Sequence, residues 1–254
     1  MTSVSSSVGA REDLVGDAAA ILDLVRRLEL LPQLLRRQEE EAIVAAVDLP
    51  SAWFEQQRAA LLVNRDLDDV LGARGWTLAD LDLDLARPEA LRRFARQRFG
   101  PGLQESFLAS HGGHDQIVYS LLRVRDASLA QELWIRLEEG ETTFAEVAAA
   151  FSEGPEAARK GVIGPMPMAQ LQPPELAALL RVLRPGQIHP PRTIGGWHVL
   201  LRLEQLTPAR FDEPMQELLL EQQLDQFLQE RVRRRLAGES PEPLDYHADP
   251  HDAP

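Results

Sequence analysis

The stretch from Phe144 to Leu203 constrains the chain most, because its periodicity changes several times within a short length. Thr143 and Glu146 form a capping box, and Phe144, Val147, Ala148 and Phe151 then fall on one helical face. S-E-G-P (Ser152–Pro155) stops that helix. K-G-V-I-G (Lys160–Gly164), P-P-E-L (Pro173–Leu176) and R-P-G-Q-I (Arg184–Ile188) supply further glycine and proline punctuation. From Gly195 the pattern alternates. Trp197, Val199, Leu201 and Leu203 point one way, His198, Leu200 and Arg202 the other. The first face reads as core. The second mixes polar and apolar groups, as a ligand-facing surface does.

A first strand is expected at Ile117–Val124. Asp126 caps the next helix, whose stripe is Leu129, Leu133 and Leu137 and whose stop is Gly140. The order over residues 116–206 is therefore β-α-α-β-α-β. The sequence before it is helical from 13 to 110. Leu22, Leu24, Val25, Leu28 and Leu31 recur at helical spacing, Pro32 marks a boundary, Gly75 ends a short helix, and Thr77 with Asp80 caps another. Pro88 suits the first turn of a further helix, and His111–His114 reads as a linker. Asp212 opens a long amphipathic helix over 212–237, expected to pack on the N-terminal helices. Residues 1–12 and the acidic, proline-rich tail 238–254 are expected to be disordered. The fold class is α+β: a small antiparallel or mixed sheet with surrounding helices, set in an all-α N-terminal and C-terminal helical domain.

Composition removes several functions. No cysteine is present, so disulfides, thiolate metal sites and a cysteine nucleophile are excluded. The net charge of −13 disfavours nucleic-acid binding. The arginine runs at 92–98 and 231–235 read as solvated helix faces. No apolar run reaches the roughly 18 residues that span a bilayer. No signal pattern follows Met1, so the expectation is a cytoplasmic protein. His111, His114 and Asp115, and His247 with His251, lack a convincing third ligand, so no metal is expected.

The ordered motifs from Gln116 to Glu204 resemble a parvulin-type peptidyl-prolyl cis/trans isomerase. The flanking helices resemble those of bacterial parvulin chaperones and foldases. The resemblance implies rotation about Xaa-Pro bonds in proline-containing unfolded polypeptides or peptides. Such a reaction breaks no bond and needs no cofactor; it must lower a barrier of about 18–20 kcal/mol. By resemblance, Met166, Met168, Leu171, Leu176 and Trp197 line the slot for the prolyl ring. His198 matches the second of two family histidines and Thr193 its hydroxyl partner. The first histidine aligns with Ser120, beside Tyr119. Either residue is expected to replace its hydrogen bond to His198. The family's Cys/Asp position falls at Gly154, with Glu153 as the neighbouring acid. Arg123 and Arg125 stand where an acidic residue before the proline would be met. Gly161 and Gly164 read as backbone requirements. Because half of the polar set is replaced, a second reading stands beside catalysis. It is a non-catalytic chaperone or peptide-export accessory that uses the helical part as a cradle.

Overall fold

The structure is a computed structural model that describes residues 18–246. Five helices come first: α1 (Ala18–Arg27), α2 (Leu31–Ala46), α3 (Ser51–Leu61), α4 (Leu67–Arg74) and α5 (Leu78–Phe99). Pro32 sits in the first turn of α2, where a missing N–H leaves no bond unmade. Gly75 ends α4 in the left-handed conformation, and the Thr77–Asp80 capping box opens α5. α1 buries none of its residues, and Leu22, Leu28 and Leu31 are exposed, so the first apolar stripe stays outside the core.

Pro88 does not begin a helix; it lies inside α5. An interior proline costs about 3 kcal/mol or more. The helix continues through it because Leu81, Ala86, Ala90 and Phe94 all bury on either side. At about 1.5–3 kcal/mol for each large apolar side chain buried, that packing outweighs the lost bond.

The chain divides into two compact units, residues 104–215 and the helices on either side of them. The smaller unit runs through α6 (Leu103–His114), β1 (Gln116–Val124), α7 (Ala127–Glu138), α8 (Phe144–Phe151), β2 (Val162–Pro167), α9 (Pro174–Leu180), β3 (Ile188–Ile194) and β4 (Trp197–Thr207). His111–His114 is thus the end of a helix, not a linker. Gly112 and Gly113 each weaken it by about 1 kcal/mol. A Cβ at Gly113 would sit in van der Waals contact with Ala169, at 3.4 Å.

The four strands form one antiparallel sheet in the order β2-β1-β4-β3. β3 is an additional strand that the pattern does not announce, because Pro190 and Pro191 argue against one. It lies at the sheet's edge, where proline is tolerated, and its register slips between His189 and Arg192. The two faces of the sheet carry separate cores. Tyr119, Leu121, Val199, Leu201 and Leu203 pack with Met168, Leu171 and α9. Leu122, Val124 and Leu200 pack with α7 and α8.

α10 (Glu213–Leu236) follows, with the Met215 amide donating to Asp212 at 3.1 Å. Leu228 joins Ile43, Ala90 and Phe94 in the helical core, with Leu224 and Phe227 beside it. Buried Glu39 is paired with Arg231 and Arg235 of α10. The tail departs from the expected disorder: Leu244 and Tyr246 pack against this core. Residues 247–254, with His247 and His251, and residues 1–12 lie outside the described residues. No helix among the described residues is long and apolar enough to cross a membrane.

Candidate active site

A cavity of about 220 Å³ opens on the α9 side of the sheet. β1 gives it Tyr119, Leu121 and Arg123, and β4 gives Trp197 and Val199. These residues share a face because Leu121 pairs with Leu201 and Arg123 with Val199, and alternation does the rest. Ile163 of β2, Leu176 of α9 and the preceding Gln172 and Pro173 close the far side. Ile194 and Gly195 form the rim; Ile194 pairs with Trp197 across a two-residue turn, Gly195-Gly196. Both glycines have positive φ, 56° and 78°, as the tightest hairpin turns require. Gly164, at φ 110°, is needed for another reason: a Cβ there would strike the Ile117 carbonyl.

The walls are mostly apolar, and four lining side chains carry polar atoms: Tyr119, Arg123, Gln172 and the indole of Trp197. The Tyr119 hydroxyl has no intramolecular hydrogen-bond partner among the described residues. Burial raises its pKa, Arg123 pulls it back and Glu156 adds to the rise, so the phenol stays protonated and can donate. Arg123 is held by a two-pronged pair with Glu156, Nε to Oε1 and Nη2 to Oε2, both 2.9 Å. The Ser152 hydroxyl also donates to Glu156, at 2.7 Å. Burial works to raise the Glu156 pKa, but the bonds from Arg123 and Ser152 prevail and hold it below the ordinary glutamate range. At the mouth, the Arg125 guanidinium lies 3.9 Å over the Trp197 ring.

The acid behind this wall is Glu156, which holds Arg123 without itself lining the cavity, whereas the sequence pattern points to Glu153. Glu153, the acid expected there, is exposed and accepts the Arg125 amide at 2.7 Å. The pair also accounts for Gly154, since any Cβ there would collide with the Glu156 carboxylate and Arg123 Nε. The available signals were the i, i+4 spacing of Ser152 and Glu156 and the apolar strand context of Arg123.

The structure places the other expected residues as follows. Tyr119, Leu176 and Trp197 line the cavity. Met168 and Leu171 are buried in the core beneath it, and Met166 packs against that core. Ser120 is buried, and its only proton goes to Glu204, so it does not replace a bond to His198. Thr193 and His198 are hydrogen-bonded, Oγ1 to Nδ1, at 3.1 Å. Strand alternation puts His198 with Leu200 on the face covered by α7 and α8, away from the cavity. The mixed face of β4 is thus not the one that borders the cavity. Among the described residues no cluster could hold a metal ion.

Residues 123–204 match the family model of the rotamases, described as the PPIC-type PPIase domain. This segment is therefore a PPIC-type, parvulin-class domain set between helices. The chain is 37% identical over 82 residues to the chaperone SurA of Vibrio cholerae. The match covers 32% of this chain and only 19% of that protein, so the chain spans about a fifth of the curated relative. Among solved structures, peptidylprolyl isomerase PrsA from Bacillus cereus superposes with TM-score 0.53 at 17% identity, over 89% of each chain. PrsA from Bacillus anthracis gives 0.50 at 17% identity, over 83% of this chain and all of the other. At these identities the superpositions define the fold alone: an α+β domain with flanking helices.

Proposed function

We propose that this protein is a peptidyl-prolyl cis/trans isomerase acting on proline-containing unfolded segments, and that the cavity beside Tyr119 and Trp197 holds the prolyl ring. The carrying observation is that most of this cavity's lining belongs to the segment that matches the PPIC-type domain, with Tyr119 and Leu121 just ahead of it on the same strand. Planar Xaa-Pro amides owe their barrier to resonance. Twisting removes that resonance, makes the amide less polar and leaves a lone pair on the prolyl nitrogen. An apolar cavity favours the twisted form, and a donor at its wall stabilises the freed lone pair. Leu176, Ile163, Val199 and Trp197 supply the apolar contact. The Tyr119 phenol supplies a donor with no competing partner. Arg123, fixed by Glu156, is preset toward the carbonyl oxygen before the proline.

His198 then acts at a distance. Its bond to Thr193 staples the β3–β4 hairpin whose next residues, Ile194 and Gly195, form the cavity rim.

The test is two-dimensional exchange NMR on a Leu-Pro or Glu-Pro peptide with substoichiometric protein. The expected result is faster cis/trans exchange, reduced when a peptide competes for the cavity. An unchanged exchange rate for both peptides overturns the proposal. Holding of unfolded chains without turnover is favoured by a different feature, an apolar recess of about 420 Å³ between α5 and α10. Suppression of client aggregation that survives Trp197→Ala would assign holding to the helices and turnover to the sheet.

A further inference from the structure

The helical unit has another recess, of about 390 Å³, and part of its wall is the chain's own tail. α5 contributes Phe94 and Arg98, α10 contributes Phe227, Arg231 and Arg234, and residues 241–245 close the opening. The tail reads Pro241-Glu242-Pro243-Leu244-Asp245-Tyr246 and has no helix or strand. Its prolines fix φ and push the residues before them toward extended conformations. In an extended chain, residues two apart share a side. Leu244 and Tyr246 accordingly both pack on the core of Ile43, Phe94 and Leu228. Tyr246 stacks on Phe94 with the rings 6.4 Å apart and 27° from parallel.

The tail's polar groups meet arginines. The Glu242 carbonyl accepts from Arg231 at 2.6 Å, and its carboxylate lies 3.7 Å from Arg234. Arg98, exposed on the same wall, makes no ion pair among the described residues. Glu230 is the opposing charge, and it is already paired with Arg233 and Arg234. The arrangement therefore offers arginines to an acidic strand and an apolar floor to two alternate anchors. The cover is partial: Leu244 and Tyr246 are only half buried, and a recess remains beside them. A segment that belonged to the core would leave neither.

We infer that this recess is a receptor for extended acidic peptides carrying a leucine and an aromatic residue two positions apart. Residues 241–246 are its tethered occupant, which an incoming segment of the same chemistry displaces. This is independent of the isomerase reading, since no residue of the sheet takes part. A tethered occupant works at an effective concentration of the order of millimolar, so it masks weak outside ligands and yields to stronger or multivalent ones.

The experiment uses a fluorescein-labelled peptide of sequence E-S-P-E-P-L-D-Y-H-A. It is titrated into the full chain, into a chain ending at Ser240, and into the full chain carrying Leu244→Ser and Tyr246→Ser. Fluorescence anisotropy should show at least tenfold tighter binding to both altered chains than to the full chain. Binding should weaken as salt rises and be lost when Arg98→Glu and Arg234→Glu are added. Equal binding to all three chains overturns the inference. So does loss of the helical circular-dichroism signal in both altered chains, which would make the tail an integral part of the core.

Discussion

The two faces of the four-stranded sheet are built from the same strands and end differently. On one, Leu122, Val124 and Leu200 meet Ala130, Leu133 and Phe144, and all six are completely buried. On the other, Leu201 and Leu203 are as deeply buried at one end, but Trp197, Ile194 and Ile163 are only partly covered and border a cavity. Two helices, α7 of 12 residues and α8 of 8, cover the first face together. The second face has α9 alone, of 7 residues, and part of it stays open. The closed face stabilises the unit and the open face is available to a ligand. Adjacent residues on one strand therefore belong to different jobs.

That contrast can be broken by substitution. The largest effect belongs to the closed face. Phe144→Ala should cost about 3–5 kcal/mol in urea unfolding, because it opens a cavity where the surroundings cannot collapse. Exchange catalysis per folded molecule should remain; its loss would mean that the faces are not separable. Glu156→Gln comes next. It removes the charge that holds Arg123, and unfolding free energy near neutral pH should fall by about 2–3 kcal/mol, the worth of hydrogen bonds to a charged group.

The same carboxylate sets a pH dependence. Its folded pKa lies below its unfolded one, so its contribution is complete above the unfolded glutamate range. The contribution is lost as pH falls through that range toward the folded value. Denaturation at a series of acidic pH values should show a slope there that Glu156→Gln flattens. An unaltered slope would remove Glu156 from the account.

Tyr119→Phe should act on the open face alone. The hydroxyl has no hydrogen-bond partner among the described residues, so stability should hardly change. Catalysed exchange should drop about five- to tenfold, the value of one neutral hydrogen bond at ~1 kcal/mol. A loss of stability without a loss of rate would contradict the assignment. The smallest effect is expected from Thr193→Val. It cuts the staple to His198 and should lower the rate about twofold or less, by loosening the cavity rim.

Much of this architecture was legible in the chain. The capping boxes at Thr77 and Thr143, the stop at Gly75 and the alternation of β4 are local signals, and they were readable for that reason. β3 was hidden because Pro190 and Pro191 are acceptable only at an edge, and being an edge is a property of the sheet. Pro88 misled for the same reason: burial of Phe94 and Ala90 keeps α5 continuous, and burial is not written locally.

The site was legible in part. Tyr119, Leu176 and Trp197 follow from the resemblance and reach the cavity. Ser120 does not, because a shift of one residue along a strand reverses the face. Glu156 was missed because its significance lies in Arg123, thirty-three positions away in sequence.

Prolyl turnover is thereby assigned to the Trp197 side of β4 and not to the His198 side. Exchange NMR on one Xaa-Pro peptide, comparing Trp197→Ala with His198→Ala at equal folded concentration, tests this most directly. The expected result is a loss of at least tenfold for Trp197→Ala and about twofold or less for His198→Ala. The reverse order, with His198 indispensable and Trp197 dispensable, would contradict it.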